Sequence, residues 1–330
     1  MEVIVMKTTV NFCLAACAIA AVASCGKYND DPIIDNSRVM TFEVPDFYLG
    51  SPEDAFSKVY DTEVENHHYF HWEKGDEIAI FTYQGTGAND KPTSSADKTV
   101  STLGKFTATS VENKGTSTSA VFSANVAADI PLYKYAYAIY PYKESFKTAE
   151  STSVGFKISC NIPEVQNGNA LDYIYLTSRD IPVTVDAETG KVSFGDFPKF
   201  VLATPITIFS VSSTKPITKI EIDGGKTVKN FTGNGYFRTN AGSVYDRGTS
   251  TKLTIEKGGK VVVPAGEKTE LSFAARHFEA PNDSSVSGIA ITFTFTAEDN
   301  TKCTKIYKPN KAQSANTIIN LGTITLENFK

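Results

Sequence analysis

The residues best suited to metal chemistry in this sequence are three clustered histidines, His67, His68 and His71. Imidazole nitrogens bind zinc and similar ions, but several of them must converge on one point. The aromatic residues among these histidines favour a strand, in which His67 and His71 share a face about 13 Å apart and His68 points the other way. Such an arrangement does not chelate one ion, and we therefore predict no metal site in this sequence.

The sequence lacks the motifs of the common catalytic sites. It contains no Gly-x-Ser-x-Gly, no His-Glu-x-x-His and no phosphate-binding glycine loop. Gly233-Asn234-Gly235 lies between two strand-like segments rather than before a helix, which indicates a turn. The acidic residues are scattered and show no pattern that supports a carboxylate pair for glycoside hydrolysis. We predict that the protein is not an enzyme and has no catalytic residue and no cofactor.

Cys25 is the residue whose chemistry we expect to be used, because it closes an apolar segment near the N-terminus. Lys7 supplies the positive charge of an export signal, and residues 10–23 supply its mostly apolar core. That core is too short for a helix that spans a bilayer, which needs about 20 residues. The closing run Val22-Ala23-Ser24-Cys25 resembles a bacterial lipoprotein signal, in which the cysteine receives a lipid and becomes the first residue of the mature protein.

This likeness predicts a signal peptide at residues 1–24, a tether or pro-segment at residues 25–38, and a lipid anchor such as palmitate at Cys25. The acidic residues Asp30 and Asp31 resemble the signal that sends lipoproteins of Bacteroidetes to the outer face of the outer membrane. The expected location is therefore the outer-membrane surface, to which the lipid attaches the chain. The net charge of −5 argues against nucleic acid as a partner.

Two cysteines remain as thiols in the mature chain, Cys160 and Cys303. Export permits a disulfide between them, but their positions in the sequence do not identify one. Cysteine is among the most frequently buried residue types, so two separately buried thiols are the favoured interpretation.

Short strands separated by turn residues dominate the rest of the sequence. Apolar runs and alternating patterns predict strands at residues 39–44, 77–83, 183–185, 192–194 and 289–296. Gly258-Gly259 predicts a hairpin turn between strands at residues 253–255 and 261–263. Helical periodicity is hard to find, and short strands at regular spacing are typical of β-sandwiches. We predict an all-β protein with two sandwiches in series after the signal peptide, at residues 39–182 and 183–330.

Tyr133, Tyr135 and Tyr137 recur at a spacing of two, as residues on one face of a strand do. Exposed aromatic rings often bind sugars, whereas a buried row of rings forms one side of a core. The regular alternation along a strand favours the buried row.

Several motifs occur along the chain in an order that is typical of one family. The stretch Trp72-Glu73-Lys74-Gly75-Asp76-Glu77-Ile78 is similar to a Trp-x-x-Gly-Asp-x-Ile signature, and residues 137–142 are similar to an aromatic-Pro-Tyr motif. Two later motifs of that family also have counterparts here. One is similar to residues 162–166 with the following Asp172, and the other is similar to the strand-like residues 197–209. In that last strand many members carry a histidine where this chain has Lys199-Phe200. Together these motifs make the chain resemble the fimbrillin-like lipoproteins of Bacteroidetes, of the major or minor fimbrillin type.

The resemblance implies two transthyretin-like β-sandwich domains and a role in surface pili and adhesion. In this family a protease cuts the exported lipoprotein after an arginine, and the groove vacated by the first strand accepts a strand from the next subunit. The implied partners are other fimbrillin-type subunits and host or bacterial surface ligands, with the protein incorporated in fimbriae. A sandwich that lacks one strand exposes an apolar groove and unpaired backbone groups, so it accepts an added strand.

Arg38 is the candidate processing site, because it is the first arginine after Cys25 and precedes the first predicted strand. Many relatives place the arginine after that strand, where this chain has Lys58, the less favoured candidate. A cut at Arg38 releases only the tether, whereas an uncut chain keeps its first strand and its lipid. The predicted role is therefore a pilus subunit, or an accessory or anchor subunit.

A glycan-binding surface lipoprotein of a polysaccharide-uptake system is the alternative function, since such a protein is also all-β and anchored by a lipid. The two functions differ in what the protein surface presents. A pilus subunit has a removable first strand over a continuous apolar groove. A glycan binder has exposed aromatic rings on one face, with polar groups beside them.

Overall fold

The structure is a computed structural model that describes residues 37–49, 68–84, 100–113, 118–147, 149–152, 155–189, 191–195, 200–224, 231–238, 241–246, 250–276, 290–307 and 318–330. The predicted signal peptide, the lipid anchor Cys25, the tether up to residue 36, His67 and Lys58 lie outside these residues. Within them, no helix has the length and apolar character needed to cross a membrane.

The predicted all-β class is confirmed, since the only helical elements among the described residues are two 3-10 turns, Glu144–Lys147 and Ala170–Asp172. The strands are β1 (Ser37–Pro45), β2 (Phe47–Leu49), β3 (His68–Phe70), β4 (Glu77–Tyr83), β5 (Val100–Asn113), β6 (Thr118–Ala127), β7 (Tyr135–Tyr140), β8 (Ala149–Thr152), β9 (Gly155–Ile162), β10 (Val165–Gln166) and β11 (Leu176–Val185). They continue with β12 (Val192–Phe194), β13 (Val201–Leu202), β14 (Ile206–Ser213), β15 (Ile217–Asp223), β16 (Gly233–Arg238), β17 (Ala241–Asp246), β18 (Lys252–Glu256), β19 (Lys268–Ala274), β20 (Ile291–Ala297), β21 (Lys302–Tyr307) and β22 (Ile318–Leu326).

The first half of the chain forms one large antiparallel sheet with the strand order β1-β6-β5-β4-β7-β11-β12, and β13 pairs with β11. The sheet curls round a single core, to which most of its strands contribute one face. Its first and last strands come close together, because the rings of Phe42 in β1 and Phe194 in β12 lie 4.8 Å apart between centroids.

Strand β4 is apolar on both faces because both faces are covered. Ile78 and Ile80 point into the core of the large sheet, while Phe81 and Tyr83 point into a second core. That second core lies against a four-stranded sheet with the order β17-β16-β9-β8, to which Ile158 and Phe237 belong. An uninterrupted apolar run, rather than an alternating one, is what a strand buried on both sides requires.

The second half of the chain packs a five-stranded sheet, β10-β18-β15-β20-β21, against a three-stranded sheet, β19-β14-β22. The core between them contains Ile291, Phe293 and Phe295 from one face of β20, as the alternating sequence predicts. Cys303 is buried in this core, whereas Cys160, in β9, is buried in the core beside the four-stranded sheet, and both are free thiols. Burial raises the pKa of the Cys160 thiol to about 12.

The two halves are joined by direct hydrogen bonds. Strand β9 of the first half pairs with β16 of the second along its length. The buried side chain of Gln166 donates to the carbonyl of Ala274 at 2.7 Å and accepts from its N–H at 3.0 Å. The predicted limit between residues 182 and 183 lies inside β11, and β14 contributes to two cores, with Ile208 in the first and Phe209 in the second. The division into two domains stays a prediction.

Candidate functional site at the first strand

Strand β1 is an outermost strand of the large sheet among the described residues. It pairs antiparallel with β6 over its whole length, from Ser37 opposite Ala127 to Pro45 opposite Ser119. An outermost strand can be exchanged without breaking the rest of a sheet, because only one neighbouring strand loses its hydrogen bonds. This position makes β1 the first element to test for the strand exchange that the sequence suggests.

One face of β1 fills the core of the large sheet. Met40, Phe42 and Val44 are 1%, 8% and 1% exposed, whereas Val39 on the other face is 71% exposed. This alternation is why the sequence forms a strand here, with Pro45 at its end. Burying such side chains contributes about 1.5–3 kcal/mol each, so the face is a large part of what holds β1 in place.

Phe42 is the central side chain of that face. Its ring lies 5.2 Å from the ring of Phe106 in β5, 6.0 Å from Phe122 in β6 and 4.8 Å from Phe194 in β12. Phe122 and Phe106 lie in the two strands nearest to β1 in the sheet order, whereas Phe194 lies in the last strand. Phe42 therefore joins the two ends of the curled sheet as well as filling its core.

Arg38 fixes the start of β1. Its Nη2 donates to the carbonyl oxygen of Ile130 at 2.6 Å, and Arg38 itself pairs opposite Val126 of β6. The bond after Arg38 is therefore inside the paired part of the strand, and proteases cut such bonds only after the strand opens. A cut there would also leave Met40 and Phe42 on the part of the strand that stays.

Asp46 fixes the end of β1. Its carboxylate is buried and lies 2.5 Å from Nδ1 of His71, with its second oxygen accepting the backbone N–H of Trp72 at 3.2 Å. The carbonyl oxygen of Pro45 accepts the indole N–H of Trp72 at 3.2 Å. Together Pro45, Asp46, His71 and Trp72 form what we call the end clamp of β1.

The end clamp also shows what one of the clustered histidines does. The side chain of His71 pairs with a carboxylate, and His67 and the side chain of His68 lie outside the described residues. No group of three metal-ligating side chains occurs within the described ranges.

Trp72 connects the end clamp to the core. Its ring is 2% exposed and meets four other rings edge-on, at centroid distances of 4.9 Å for Phe70, 5.0 Å for Phe122, 5.3 Å for Tyr140 and 5.4 Å for Phe200. Edge-to-face contacts of this kind add about 0.5–1.5 kcal/mol each to the burial of the rings. The clamp is therefore built on a rigid support.

The turn after Trp72 explains the Gly75-Asp76 part of the signature. Gly75 has a φ of +98°, a value that glycine adopts without steric cost. The carboxylate of Asp76 accepts the N–H of Glu73 at 2.8 Å and the hydroxyl of Tyr140 at 3.2 Å, and burial raises its pKa. The signature thus builds a tight turn that leads into β4. Through Asp76 it also holds Tyr140, whose ring packs against Trp72 of the end clamp.

A groove runs beside β1 on the side of β12. Its volume is about 520 Å³, and it is lined by Thr41, Phe42, Glu43 and Pro45 together with residues 191–195. The hydroxyl of Ser119 in β6 donates to the carboxylate of Glu43 at the edge of this region. The space between the two ends of the curled sheet is thus already open next to the strand.

The tyrosines singled out as a row of rings are placed mainly in the cores. Tyr137 is fully buried, and Tyr135 packs partly buried beside it. Tyr133 and Tyr142 are half-buried. Tyr140 packs against Phe70 and Trp72. These rings do not form an exposed platform.

The sequence is not matched by any family model or by any curated protein. Among solved structures, the chain is similar to a protein of Bacteroides uniformis whose proposed role is cell adhesion, with 14% identity, 87% of this chain and 94% of that chain covered, and a TM-score of 0.43. It is also similar to a Bacteroides fragilis protein with the same proposed role, with 14% identity, 85% and 92% coverage and a TM-score of 0.38. A fimbrial protein of Bacteroides ovatus is 12% identical, with 78% of this chain and 46% of that chain covered and a TM-score of 0.30. At these low scores the likenesses carry no argument about function.

The sequence predicted the strand that forms β1 and singled out the Trp72 signature, but it did not single out Asp46, while the role of Arg38 stays a prediction. Asp46 and His71 are 25 positions apart, and they meet because β2 pairs antiparallel with β3, with Phe47 opposite Phe70, which places Asp46 next to His71. The sequence signal that was available is the acidic residue directly after the proline that ends a strand, which is weak alone.

Proposed function

We propose that the protein is a fimbrillin-type surface lipoprotein that assembles with other subunits by β-strand donation and contributes to adhesion. The observation that carries this proposal is the construction of β1, an outermost strand whose one face fills a core and whose two ends are separately held. Such a strand stays in place while the contacts at its two ends are intact. Its removal would leave an apolar groove along β6.

The vacated groove would be a strong acceptor for another strand. Loss of β1 would leave β6 as an outermost strand and would expose the surroundings of Phe42, including the rings of Phe106 and Phe122. An incoming strand with the same alternation would recover both the backbone hydrogen bonds and the apolar burial. This exchange would drive assembly without any nucleotide or cofactor.

Release of β1 requires a cut on its C-terminal side. A cut after Arg38 leaves the core-filling residues of β1 in the chain, whereas a cut after Lys58 separates the whole strand from β4. The geometry of β1 therefore favours Lys58 over Arg38 as the processing site of a polymerising subunit. An uncut chain would keep β1 and its lipid at Cys25, which is the role of an anchor subunit.

The experiment that tests this proposal is digestion of the purified mature protein with arginine-specific and lysine-specific proteases. We expect the Lys58 product, identified by N-terminal sequencing, to form multimers that resist SDS, and the Arg38 product to stay monomeric. The variants Lys58→Gln and Arg38→Gln are matched controls, since each removes one cut and leaves the other. A Lys58 product that stays monomeric would overturn the polymerising role.

A further inference from the structure

A second site, distant in sequence from β1, lies in a cleft between the first 3-10 turn and the start of β11. Its volume is about 400 Å³, which is within the range of small-molecule sites. Residues 143–145 form one wall, residues 172–175 form the other, and Asn161 and Pro163 lie between them. None of these residues belongs to β1, to its end clamp or to the groove beside it.

The floor of the cleft is apolar and rigid. Ile174 and Tyr175 are 2% and 6% exposed, and the Tyr175 ring packs edge-on against Phe237 at 5.3 Å. The hydroxyl of Tyr175 donates to the carbonyl oxygen of Asn161 at 2.9 Å, which ties the second wall to the segment that lies between the walls. The floor is therefore preformed and needs no rearrangement to accept a ligand.

The rim of the cleft offers several polar groups. The side chains of Lys143, Ser145 and Asn161 line the cleft and are exposed to solvent. The Tyr173 hydroxyl accepts the backbone N–H of Asn167 at 3.0 Å, so its own proton is left to donate. Donors and acceptors of different kinds thus surround one apolar floor.

The carboxylate of Asp172 is held in a fixed orientation. It accepts from the side-chain amide of Asn167 at 2.5 Å and from that of Asn169 at 3.3 Å. Glu144 is the second carboxylate on the rim, against the single ammonium group of Lys143. This balance of charge disfavours an anionic ligand such as a phosphate.

We propose that this cleft binds a neutral sugar unit. A sugar ring presents apolar C–H faces that pack on aromatic and aliphatic side chains, and hydroxyl groups that both donate and accept hydrogen bonds. The cleft supplies an apolar floor with a mixed rim of hydroxyl, amide, ammonium and carboxylate groups. The proposal does not depend on strand exchange, and it gives an adhesion protein a place to hold a glycan.

The test is saturation-transfer NMR on the full mature chain with the neutral disaccharides cellobiose, maltose and lactose, and with glucuronic acid as the anionic comparison. We expect transfer to at least one neutral disaccharide and weaker transfer to glucuronic acid. Asn161→Ala and Tyr173→Phe should each weaken binding about fivefold, as expected for one lost hydrogen bond. Asn125→Ala, on an exposed position of β6, should leave binding unchanged.

Three results would overturn the proposal. They are no transfer to any of the three disaccharides, equal or stronger transfer to glucuronic acid, and equal binding by the Asn161→Ala, Tyr173→Phe and Asn125→Ala variants. Because the readout is sugar binding by uncut protein, its failure would leave the strand-exchange proposal unaffected.

Discussion

The carboxylate of Asp46 and the imidazole of His71 meet at 2.5 Å, where the first strand ends and the segment leading to β4 begins. The Asp46 side chain is 2% exposed and that of His71 is 33% exposed, so the acid is buried and the base reaches solvent. The contact continues the antiparallel pairing of β2 with β3, in which Phe47 stands opposite Phe70, and so ties the end of β1 to the end of β3. The retention of β1 therefore depends on the end clamp as well as on its ladder with β6.

Asp46→Asn is expected to loosen β1 without unfolding the protein. The amide keeps an acceptor for the Trp72 N–H but loses the charge that pairs with His71, which costs about 1–3 kcal/mol for a buried hydrogen-bonded charge. We expect the amides of residues 39–44 to exchange hydrogen about tenfold faster or more, by mass spectrometry. Asp129→Asn, at an exposed position, is the matched control. Equal exchange in both variants would show that the end clamp does not hold β1.

Phe42→Ala is expected to destabilise the first half of the chain by about 3 kcal/mol, because a large buried ring is replaced by a cavity among Phe106, Phe122 and Phe194. Urea denaturation measures the change in the free energy of unfolding. Thr41→Ala, the neighbouring residue on the exposed face, should change it by less than about 0.5 kcal/mol. Similar losses in the two variants would contradict the assignment of the inner face.

Lys215 and Asp299 give a pH-dependent contribution in the second half of the chain. The Lys215 ammonium lies 2.6 Å from the carboxylate, and this bond, with those from Thr301, lowers the pKa of Asp299 from 3.8 to about 2. Because the folded-state pKa is below the unfolded one, this contribution is present above pH 3.8 and is lost as the pH falls toward 2. In an NMR titration, Lys215→Gln should raise the pKa of Asp299 toward 3.8. An unchanged value would contradict the pairing.

The strands could be predicted where the sequence pattern alone decides the structure. Residues 77–83 were predicted as a strand with the bounds that β4 has, and residues 192–194 with those of β12, because turn residues flank both runs. The predicted hairpin at Gly258-Gly259 is correct for the turn, where both glycines have positive φ and Lys257 bridges Lys260. The prediction that residues 261–263 form the second strand of this hairpin is wrong. The N–H groups of Val262 and Val263 donate to the carbonyl oxygen of Ile217 instead of pairing with β18.

The remaining features depend on contacts between distant parts of the chain. Nothing local distinguishes Asp46 from other acidic residues at the end of a strand, and its partner is determined by the pairing of β2 with β3. The continuation of β11 across the predicted domain limit also depends on such contacts. Residues 180–182 look like a break in the sequence, but Tyr83 donates to Asp180 at 2.7 Å and the strand continues through a register shift.

The most direct test of the central claim, that β1 is an exchangeable strand, is to refill the groove from outside. The protein is cut after Lys58, the released segment is removed under mild denaturant, and a synthetic peptide of residues 37–49 is added. We expect the cut protein to be less stable and to form SDS-resistant multimers, and the peptide to restore stability and prevent the multimers. The same peptide with Phe42→Ala should be much less effective. A cut protein that remains monomeric and as stable as the intact chain, with or without peptide, would contradict the account.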